Sequence, residues 1–392
     1  MTKSDIKKAA LAAHKRHQGK IEIAGRAPLR NKKDLSLYYT PGVAAVSSYV
    51  AAHKNAVRDY TLAGRTVAVV SDGSAVLGLG NIGPEGALPV MEGKALLFKE
   101  FGGVDAFPIV LNANTADEII AAVKAIAPGF GGINLEDIAA PKCFEVEERL
   151  MNELDIPVMH DDQHGTAVVV LAGLINAFKA VKKDIKKSTV AVIGAGAAGT
   201  AIAKLLVLYG IGDIIVADSR GIIDLTREDL DERKKELARL TNKNGRSGDL
   251  LAALEGADAV IGVSKGGLLS AVHIRRMAKD PIVFAMANPD PEILPIVAKA
   301  AGAKVVATGR SDFENQINNV LAFPGIFKGA LENRVRRITP EIKIRAAERL
   351  AALVAKPTAS QIIPSVFDKR VVKAVAGAVK TQSLKRKAKN NG

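Results

Sequence analysis

Short runs of apolar, often β-branched residues alternate along the chain with segments whose apolar positions recur every three or four residues. Such alternation predicts strands separated by helices, the order that builds α/β domains with parallel sheets. The runs that we interpret as strands lie at about 20–24, 66–70, 106–110, 132–137, 156–160, 190–193, 214–217, 259–263, 282–287 and 304–308. The pattern therefore predicts an α/β protein.

Helical patterns fill the intervals between these runs. The first extends from Ser4 to about Gln18, and another extends from residue 115 to about 126. A long helical pattern follows the run at 156–160 and reaches Ala180, where we expect it to bridge two halves of the molecule. From about residue 339 onward, the sequence predicts only helices.

The strand at 190–193 ends in a glycine-rich turn. Its sequence, Gly194-Ala195-Gly196-Ala197-Ala198-Gly199, has the spacing G-x-G-x-x-G and leads into the helical pattern of 200–206. Strand, turn and helix in this order are typical of a Rossmann domain, in which backbone N–H groups at the helix N-terminus bind a pyrophosphate. The alternative is a glycine-rich turn without a nucleotide. The context favours a nicotinamide dinucleotide in a doubly wound sheet.

The next strand bears on the choice of dinucleotide. It ends at Asp218, roughly 20 positions beyond the glycines, where an acidic residue binds the ribose hydroxyls of NAD and repels a 2′-phosphate. Arg220 follows two residues later and could instead accept that phosphate. The sequence therefore favours NAD over NADP and leaves the use of both open.

A chain of 392 residues is too long for one ordinary core, so we expect two domains. We divide them at 1–160 and 161–392, the second with C-terminal helices and a basic tail. No run of about 18 apolar residues predicts a membrane span, and the N-terminus lacks the apolar core of a signal peptide. The single cysteine, Cys143, excludes an internal disulfide. These observations predict a cytoplasmic protein that does not bind membranes.

The net charge of +14 raises the question of nucleic acid binding. Part of the excess lies in the last residues, which include Lys385, Arg386, Lys387 and Lys389. Aromatic residues make up 4% of the chain and tryptophan is absent, which leaves few surfaces for base stacking. No nucleic-acid-binding motif is present either. We interpret the charge as solvated surface that attracts anionic substrates.

Two acidic pairs, Glu136-Asp137 and Asp161-Asp162, each follow a predicted strand. Converging carboxylates without thiolates suit a hard cation such as Mg²⁺ or Mn²⁺, although neighbouring acids are also common on surfaces. His160 and His164 have a spacing that can bind zinc, but the acids between them favour a hard metal. Considered singly, Lys94 would be a surface ammonium and Tyr39 a core phenol.

Taken together, these segments resemble the malic enzymes, in particular the short prokaryotic type, over nearly the whole chain. The segments that carry the resemblance are YTPGV at 39–43, DGSAVLGLG at 72–80, EGK at 92–94, INLED at 133–137, HDDQHGT at 160–166, ANP at 287–289 and INNV at 317–320. So many matches in order make the resemblance specific, which the glycine turn alone would not.

The resemblance implies a homodimer that oxidatively decarboxylates L-malate to pyruvate and CO₂, reduces NAD(P)⁺ and needs Mg²⁺ or Mn²⁺. It implies three metal ligands, Glu136, Asp137 and Asp162. It also implies that Lys94 removes the proton of the C2 hydroxyl and that a buried Tyr39 protonates the enolpyruvate carbon. A lysine base needs a pKa lowered toward neutrality by burial or a nearby cation.

The resemblance further assigns binding of the substrate carboxylate to Asn288 and Asn319, and it gives Asp161 a part in setting the protonation of Lys94. Longer malic enzymes carry an arginine where this chain has Ala75. We therefore expect Ser74 or backbone N–H groups to replace it.

Two other functions remain open at the level of sequence. The same site could convert malate to lactate without net change of the dinucleotide, as in malolactic chemistry. A protein of another class, a non-catalytic dinucleotide sensor, would have lost Lys94, Tyr39 or a metal ligand, whereas this chain retains them all.

Overall fold

The computed structural model describes residues 3–76 and 78–380, which form two parallel β-sheets flanked by helices. The first sheet has the strand order β2-β1-β3-β4, with all neighbours parallel. Its strands are β1 (Thr66–Ser71), β2 (Asp105–Val110), β3 (Gly132–Leu135) and β4 (Val158–His160).

The second sheet has the order β10-β9-β8-β5-β6-β7. Its strands are β5 (Thr189–Ile193), β6 (Asp213–Asp218), β7 (Gly221–Ile222), β8 (Ala259–Gly262), β9 (Ile282–Ala285) and β10 (Val305–Thr308). Only the β6–β7 pair among these strands is antiparallel. Chain order reverses direction across β5, so this is a doubly wound sheet, as the glycine turn after β5 predicts.

The helices begin with seven in the N-terminal part. They are α1 (Lys3–His17), α2 (Lys32–Tyr38), α3 (Val43–Ala52), α4 (Val57–Tyr60), α5 (Gly83–Leu97), α6 (Ala116–Ile126) and α7 (Lys142–Glu153). A π-helical turn, Phe98–Gly102, continues α5. Helix α6 begins where the sequence predicts, because the Thr115 hydroxyl and the Glu118 carboxylate form a capping box.

The remaining helices run from α8 (Asp161–Ala180) to the C-terminal part. They are α9 (Ala197–Tyr209), α10 (Glu232–Leu240), α11 (Leu250–Leu254), α12 (Ala271–Arg276), α13 (Pro295–Ala300), α14 (Phe323–Glu332), α15 (Pro340–Ala351) and α16 (Arg370–Ala376). None of the helices among the described residues is long and apolar enough to cross a membrane.

Helix α8 is the centre of the packing. Fifteen of its 20 residues are buried, which explains why the sequence is apolar nearly all round the helix. Its first residues follow β4 of the first sheet, while its body packs against α9 of the second sheet and against α15. The one helix therefore fixes the end of the first sheet against the second. Because α8 contacts elements of both sheets, its packing does not decide where one domain ends and the next begins, and the expected domain boundary between residues 160 and 161 stays a prediction.

Residues 20–24 do not form the predicted strand. They are mostly exposed and pair with no strand; Lys20 instead contacts α5, where its backbone N–H donates to Glu92 and its Nζ to the Pro89 carbonyl. An alternating pattern predicts a strand only where a neighbouring strand completes the ladder. The basic residues at 385–389 lie outside the described part of the chain.

Candidate active site

Three carboxylates meet at the carboxyl ends of β3 and β4. Glu136 and Asp137 follow β3, Asp162 lies in the first turn of α8 after β4, and these strands are neighbours. Each offers one oxygen atom, and these three atoms lie within 4.8 Å of one another. The backbone N–H of Asp137, a residue with φ of +53°, donates to Asp162 Oδ2 over 2.8 Å. The structure therefore brings together the three residues expected to bind a metal.

The chemistry of this carboxylate cluster fits a hard divalent cation. All three donors are carboxylate oxygens, the type that Mg²⁺ and Mn²⁺ prefer. Glu136 and Asp137 are each only 3% exposed. Burial raises the pKa values of Glu136 and Asp162; the Asp162 carboxylate further raises the pKa of Glu136, and the Asp161 carboxylate that of Asp162. A cation would relieve this repulsion.

Lys94 from α5 is buried against the carboxylate cluster. Its Nζ lies 2.7 Å from Glu136 Oε1 and 2.7 Å from Asp161 Oδ2, to which it donates a hydrogen bond. It also lies 4.3 Å from the centre of the Phe323 ring at the start of α14. Burial alone would lower the pKa of Lys94, but the carboxylates of Asp161, Glu136 and Asp162 outweigh it and raise that pKa. Without a cation at the cluster, Lys94 is therefore held as an ammonium.

Gly165 explains how Asp161 reaches Lys94. A Cβ at Gly165 would lie 1.8 Å from Asp161 Oδ1, so any larger residue would displace this carboxylate. The same Cβ would lie 3.3 Å from the Cβ of Asn319, which places Asn319 at the start of α8. The glycine of the H-D-D-Q-H-G-T segment thus makes room for the acid beside Lys94.

Behind the cluster, Glu147 of α7 holds the first turn of α8. It accepts the His160 backbone N–H over 2.7 Å and the Gln163 side-chain amide over 3.2 Å, and its Oε2 lies 2.9 Å from His164 Nε2. Burial alone would raise the pKa of Glu147, but His164, together with Lys343 and His160, lowers it to about 2. The sequence analysis did not identify this residue, and no motif spacing indicates it.

The two histidines do not form a zinc pair in this structure. His164 is paired with Glu147, and the His160 ring is completely buried beside the cluster. Burial lowers the pKa of both rings, so both are neutral at neutral pH.

Ser74 lies in the loop after β1 but has no proton left for a substrate. Its hydroxyl donates to Asp72 Oδ1 over 2.6 Å and accepts the backbone N–H of Ala139 over 2.9 Å. Asp72 in turn forms an ion pair with Lys142. A hydroxyl has only one proton to donate. In this arrangement Ser74 braces the loop against the segment that follows Asp137.

Asn288 lies where the two sheets face each other. A Cβ on Gly78, in the loop after β1, would lie 3.2 Å from the Asn288 carbonyl oxygen and 3.2 Å from the ring of Pro289. The loop after β9 therefore meets the loop after β1. Asn288 and Asn319, both half-buried, come from the second part of the chain to the side of the molecule that carries the cluster.

The glycine turn has the geometry of a dinucleotide site. Gly194 has φ of +115°, and a Cβ at Gly199 would lie 1.7 Å from the Gly194 carbonyl oxygen, so only glycine fits at both positions. Gly196 is exposed, which leaves the backbone open to a pyrophosphate. Ala197 packs against the apolar cluster that contains Ile138, the residue after Asp137. This contact sets the turn against the apolar core of the first sheet.

Asp218 is not a free carboxylate. Arg227 donates two hydrogen bonds to it, 2.9 and 3.2 Å long, and Lys234 Nζ lies 2.6 Å from Oδ2. Burial would raise the pKa of Asp218, but these hydrogen bonds lower it. Arg220 is 70% exposed at its side chain and pairs with Asp229. Asp218 and Arg220 were expected from the sequence, whereas Arg227 and Lys234 were not. The chain folds back after β7, so that Arg227 in the following loop and Lys234 in α10 lie beside the end of β6.

Tyr39 is not buried in the chain, contrary to expectation. It is 66% exposed, at the end of α2. Within the described residues, its side chain has no hydrogen bond or ring contact to the carboxylate cluster. Among residues 5–62, none is fully buried, so this N-terminal segment lacks the packing that would enclose a phenol.

A doubly wound domain with a dinucleotide turn, set against a buried lysine and carboxylate cluster on a second α/β domain, defines a dinucleotide-dependent enzyme. Two family models cover the chain: "Malic enzyme, N-terminal domain" matches residues 18–151, and "Malic enzyme, NAD binding domain" matches residues 163–384. The chain belongs to the malic enzyme family.

Individual relatives agree with this assignment. The chain is 56% identical over 377 residues to the bifunctional malic/malolactic enzyme of Bacillus subtilis, covering 95% of this chain and 92% of that protein. It is 54% identical over 363 residues to the NAD-dependent malic enzyme of Geobacillus stearothermophilus, covering 92% and 76%. The crystal structure of the NAD-dependent malic enzyme of Thermotoga maritima is 51% identical, with a TM-score of 0.92 and coverage of 95% and 99%.

Proposed function

We propose that this protein oxidatively decarboxylates L-malate to pyruvate and CO₂ while reducing a nicotinamide dinucleotide. The observation that carries the proposal is the buried Lys94 ammonium, 2.7 Å from two carboxylates, beside three acids able to hold a divalent cation. A dinucleotide turn lies against the same region. Hydride transfer and decarboxylation need these parts in one place.

Glu136, Asp137 and Asp162 would hold Mg²⁺ or Mn²⁺. When bound, such a cation supplies a Lewis acid for the oxygens of malate, which lowers the cost of the negative charge that develops as CO₂ leaves. Asp161 is not among these converging carboxylates, and its Oδ2 accepts a hydrogen bond from Lys94.

Lys94 would accept the proton of the C2 hydroxyl. Its carboxylate neighbours favour the ammonium form, so their charge would have to be compensated before the pKa of Lys94 falls and Nζ releases its own proton; only the resulting neutral amine can accept the proton of malate. Asp161 and Glu136 then serve to fix the position of Nζ. As a general base, Nζ must also come within hydrogen-bond reach of the C2 hydroxyl of bound malate.

Asn288 and Asn319 would bind the carboxylate of malate through their side-chain amides. Because the Ser74 hydroxyl already donates to Asp72, backbone N–H groups of the loop after β1 are the better substitute for the arginine that Ala75 replaces. Tyr39 would protonate the product carbon.

We also propose a homodimer. The support is the N-terminal segment, whose helix α3 is strongly apolar and has no buried residue. Val43, Val46 and Tyr49 of α3 are between 37 and 45% exposed. A second copy that covers this surface would bury them and would change the surroundings of Tyr39.

The cofactor and the cell compartment complete the proposal. The side chains around Asp218 support use of both NAD⁺ and NADP⁺. We propose a cytoplasmic enzyme with a first domain of residues 1–160 and a second of 161–392, the division expected from the sequence.

A second activity is favoured by one observation. The Bacillus subtilis relative is described as both malic and malolactic. Formation of lactate from malate, without accumulation of the reduced dinucleotide, would reveal the same activity here.

The test is an assay of malate, Mn²⁺ and either NAD⁺ or NADP⁺, with pyruvate, lactate and reduced dinucleotide measured together. We expect pyruvate and reduced dinucleotide in equal amounts. In the Lys94→Ala variant, kcat should fall by about 10² to 10⁴, the usual contribution of a general base. Lys99→Ala, which removes an exposed lysine just after α5, is the control. Full turnover of Lys94→Ala would contradict the role of Lys94, and absence of both products would contradict the activity.

A further inference from the structure

A second candidate site lies in the C-terminal helices. An open surface cavity of about 900 Å³ is lined by residues 101–103, after α5, and by parts of α14, α15 and α16. This C-terminal cavity is within the size range of small-molecule sites. Six cationic side chains line it, whereas Glu332 is its single carboxylate. The cations are Lys328, Arg349, Lys369, Arg370, Lys373 and Lys380.

Most of this charge is not neutralised by the protein. Lys328 pairs with Glu332 over 3.0 Å, and Arg370 pairs with Asp368 over 2.7 Å. Among the described residues, the other four cations have no carboxylate within ion-pair distance. Four uncompensated cations around a concave surface create a positive potential that attracts anions.

The charge of the cavity favours a small anionic ligand over the C-terminal segment of this protein as its occupant. The guanidinium of the exposed residue Arg349 lies beside Gly377, just after α16, where Nη1 would be 3.0 Å from an added Cβ. The sequence that follows Lys380 is itself basic, with charged residues from Lys385 to Lys389, and cannot complement the cavity. A multiply charged anion can.

An exposed aromatic ring lies next to the cations. Phe367 is 78% exposed, and its ring centre lies 5.9 Å from that of Phe101, which lines the cavity. Phe367 lies two positions before Lys369 along the chain. An exposed ring beside a cationic cavity can stack on a planar group such as a nucleobase.

We propose that the C-terminal cavity binds a small molecule that carries a chain of phosphate groups. Several phosphates engage several cations at once, and charge-assisted hydrogen bonds to phosphate are among the stronger polar contacts. The polyphosphate can belong to a nucleotide or be inorganic. This site is separate from the carboxylate cluster and from the glycine turn, and it does not depend on the proposed reaction.

The test is calorimetric titration of the full chain with inorganic tripolyphosphate, without divalent cations and with saturating NAD⁺ to occupy the glycine turn. The variant Lys369→Gln/Lys373→Gln removes two exposed cations of the cavity. The control Lys187→Gln/Lys356→Gln removes two exposed lysines outside it and changes the net charge equally.

We expect the dissociation constant to rise about tenfold or more in the cavity variant, the loss that follows from one or two charge-assisted contacts, and to stay unchanged in the control. Failure of the wild type to bind, or an equal loss in both variants, would overturn the proposal. ATP titrated into Phe367→Ala separates the two sources: weaker binding of ATP with unchanged tripolyphosphate indicates a nucleotide, and unchanged binding of both indicates the inorganic form.

Discussion

At the scale of single residues, a small network of charged side chains sets the charge where the dinucleotide ribose would lie. Arg227 and Lys234 lie within hydrogen-bond distance of Asp218, and Asp229 pairs with Arg227 and Arg220, so three cations face two carboxylates. A paired carboxylate can still accept from a ribose hydroxyl, because each oxygen has more than one acceptor site. The neighbouring cations would also accept a 2′-phosphate, so this group of side chains suits both dinucleotides.

We therefore expect Lys234→Gln to affect NADP⁺ more than NAD⁺. Loss of one cation should lower kcat/KM for NADP⁺ about tenfold, the value of one charge-assisted contact, and should leave kcat/KM for NAD⁺ within about twofold. Steady-state kinetics with both dinucleotides measures the ratio.

Lys235→Gln is the matched control, because Lys235 lies next to Lys234 on α10 but pairs with Glu232 instead of Asp218. An equal loss with both dinucleotides in Lys234→Gln would show that Lys234 only supports Asp218 and does not discriminate.

At the scale of elements, the contact between α7 and the start of α8 orients the carboxylate cluster. Glu147 of α7 accepts three hydrogen bonds from His160, Gln163 and His164, which surround Asp161 and Asp162 in sequence. Lys343 of α15 adds a buried cation whose pKa is lowered by burial to about 8. Three helices therefore meet at one buried carboxylate.

Glu147→Gln should lower the free energy of unfolding by about 3 kcal/mol at neutral pH, because it removes the charge that buried donors require. Glu148→Gln, an exposed neighbour on the same helix, should change it little. Urea unfolding of both variants measures the difference. Equal stability of the two would contradict the role of Glu147.

The difference should also depend on pH. The folded pKa of Glu147, about 2, lies below its ordinary value of 4.5, so the unfolded chain binds the proton more readily. The stabilisation by Glu147 is therefore complete above the ordinary value and is lost as the pH falls toward 2. The two unfolding curves, wild type and Glu147→Gln, should approach each other over that range.

Elements with strong local signals could be predicted from the sequence. The glycine turn after β5 and the capping box of α6 depend on residues close in the chain, and the structure has both. The carboxylate cluster could be predicted because neighbouring parallel strands end at the same edge. Glu147, Arg227 and Lys234 could not, because tertiary packing alone brings them to the site. The strand predicted at 20–24 was wrong because a strand also depends on tertiary structure, and no neighbouring strand pairs with these residues.

At the scale of the whole molecule, the N-terminal segment is incompletely packed in a single chain. No residue from 5 to 62 is buried, and the exposed apolar side chains include Leu37, Val46, Tyr49 and Tyr60. The Tyr49 ring lies 4.4 Å from the ring of His53 and 5.2 Å from that of Tyr60, both in the same segment. We therefore expect sedimentation velocity to give twice the mass of the chain. Val46→Glu should shift the protein to monomer, whereas Val297→Glu, at a similarly exposed valine of α13, should not.

The position of Tyr39 gives the dimer a part in catalysis. Because Tyr39 is exposed on this segment and lacks contact with Lys94 of its own chain among the described residues, we expect its phenol to reach the site of the other subunit. Lys94→Ala and Tyr39→Phe should each be nearly inactive. After the two are mixed, dissociated and reassociated, half of the dimers are hybrids, and each hybrid holds one site with both Lys94 and Tyr39 intact. About a quarter of wild-type activity should then return, as two-fold symmetry with random pairing requires. If each site uses Lys94 and Tyr39 of the same chain, every site in every dimer lacks one of them, and mixing restores nothing.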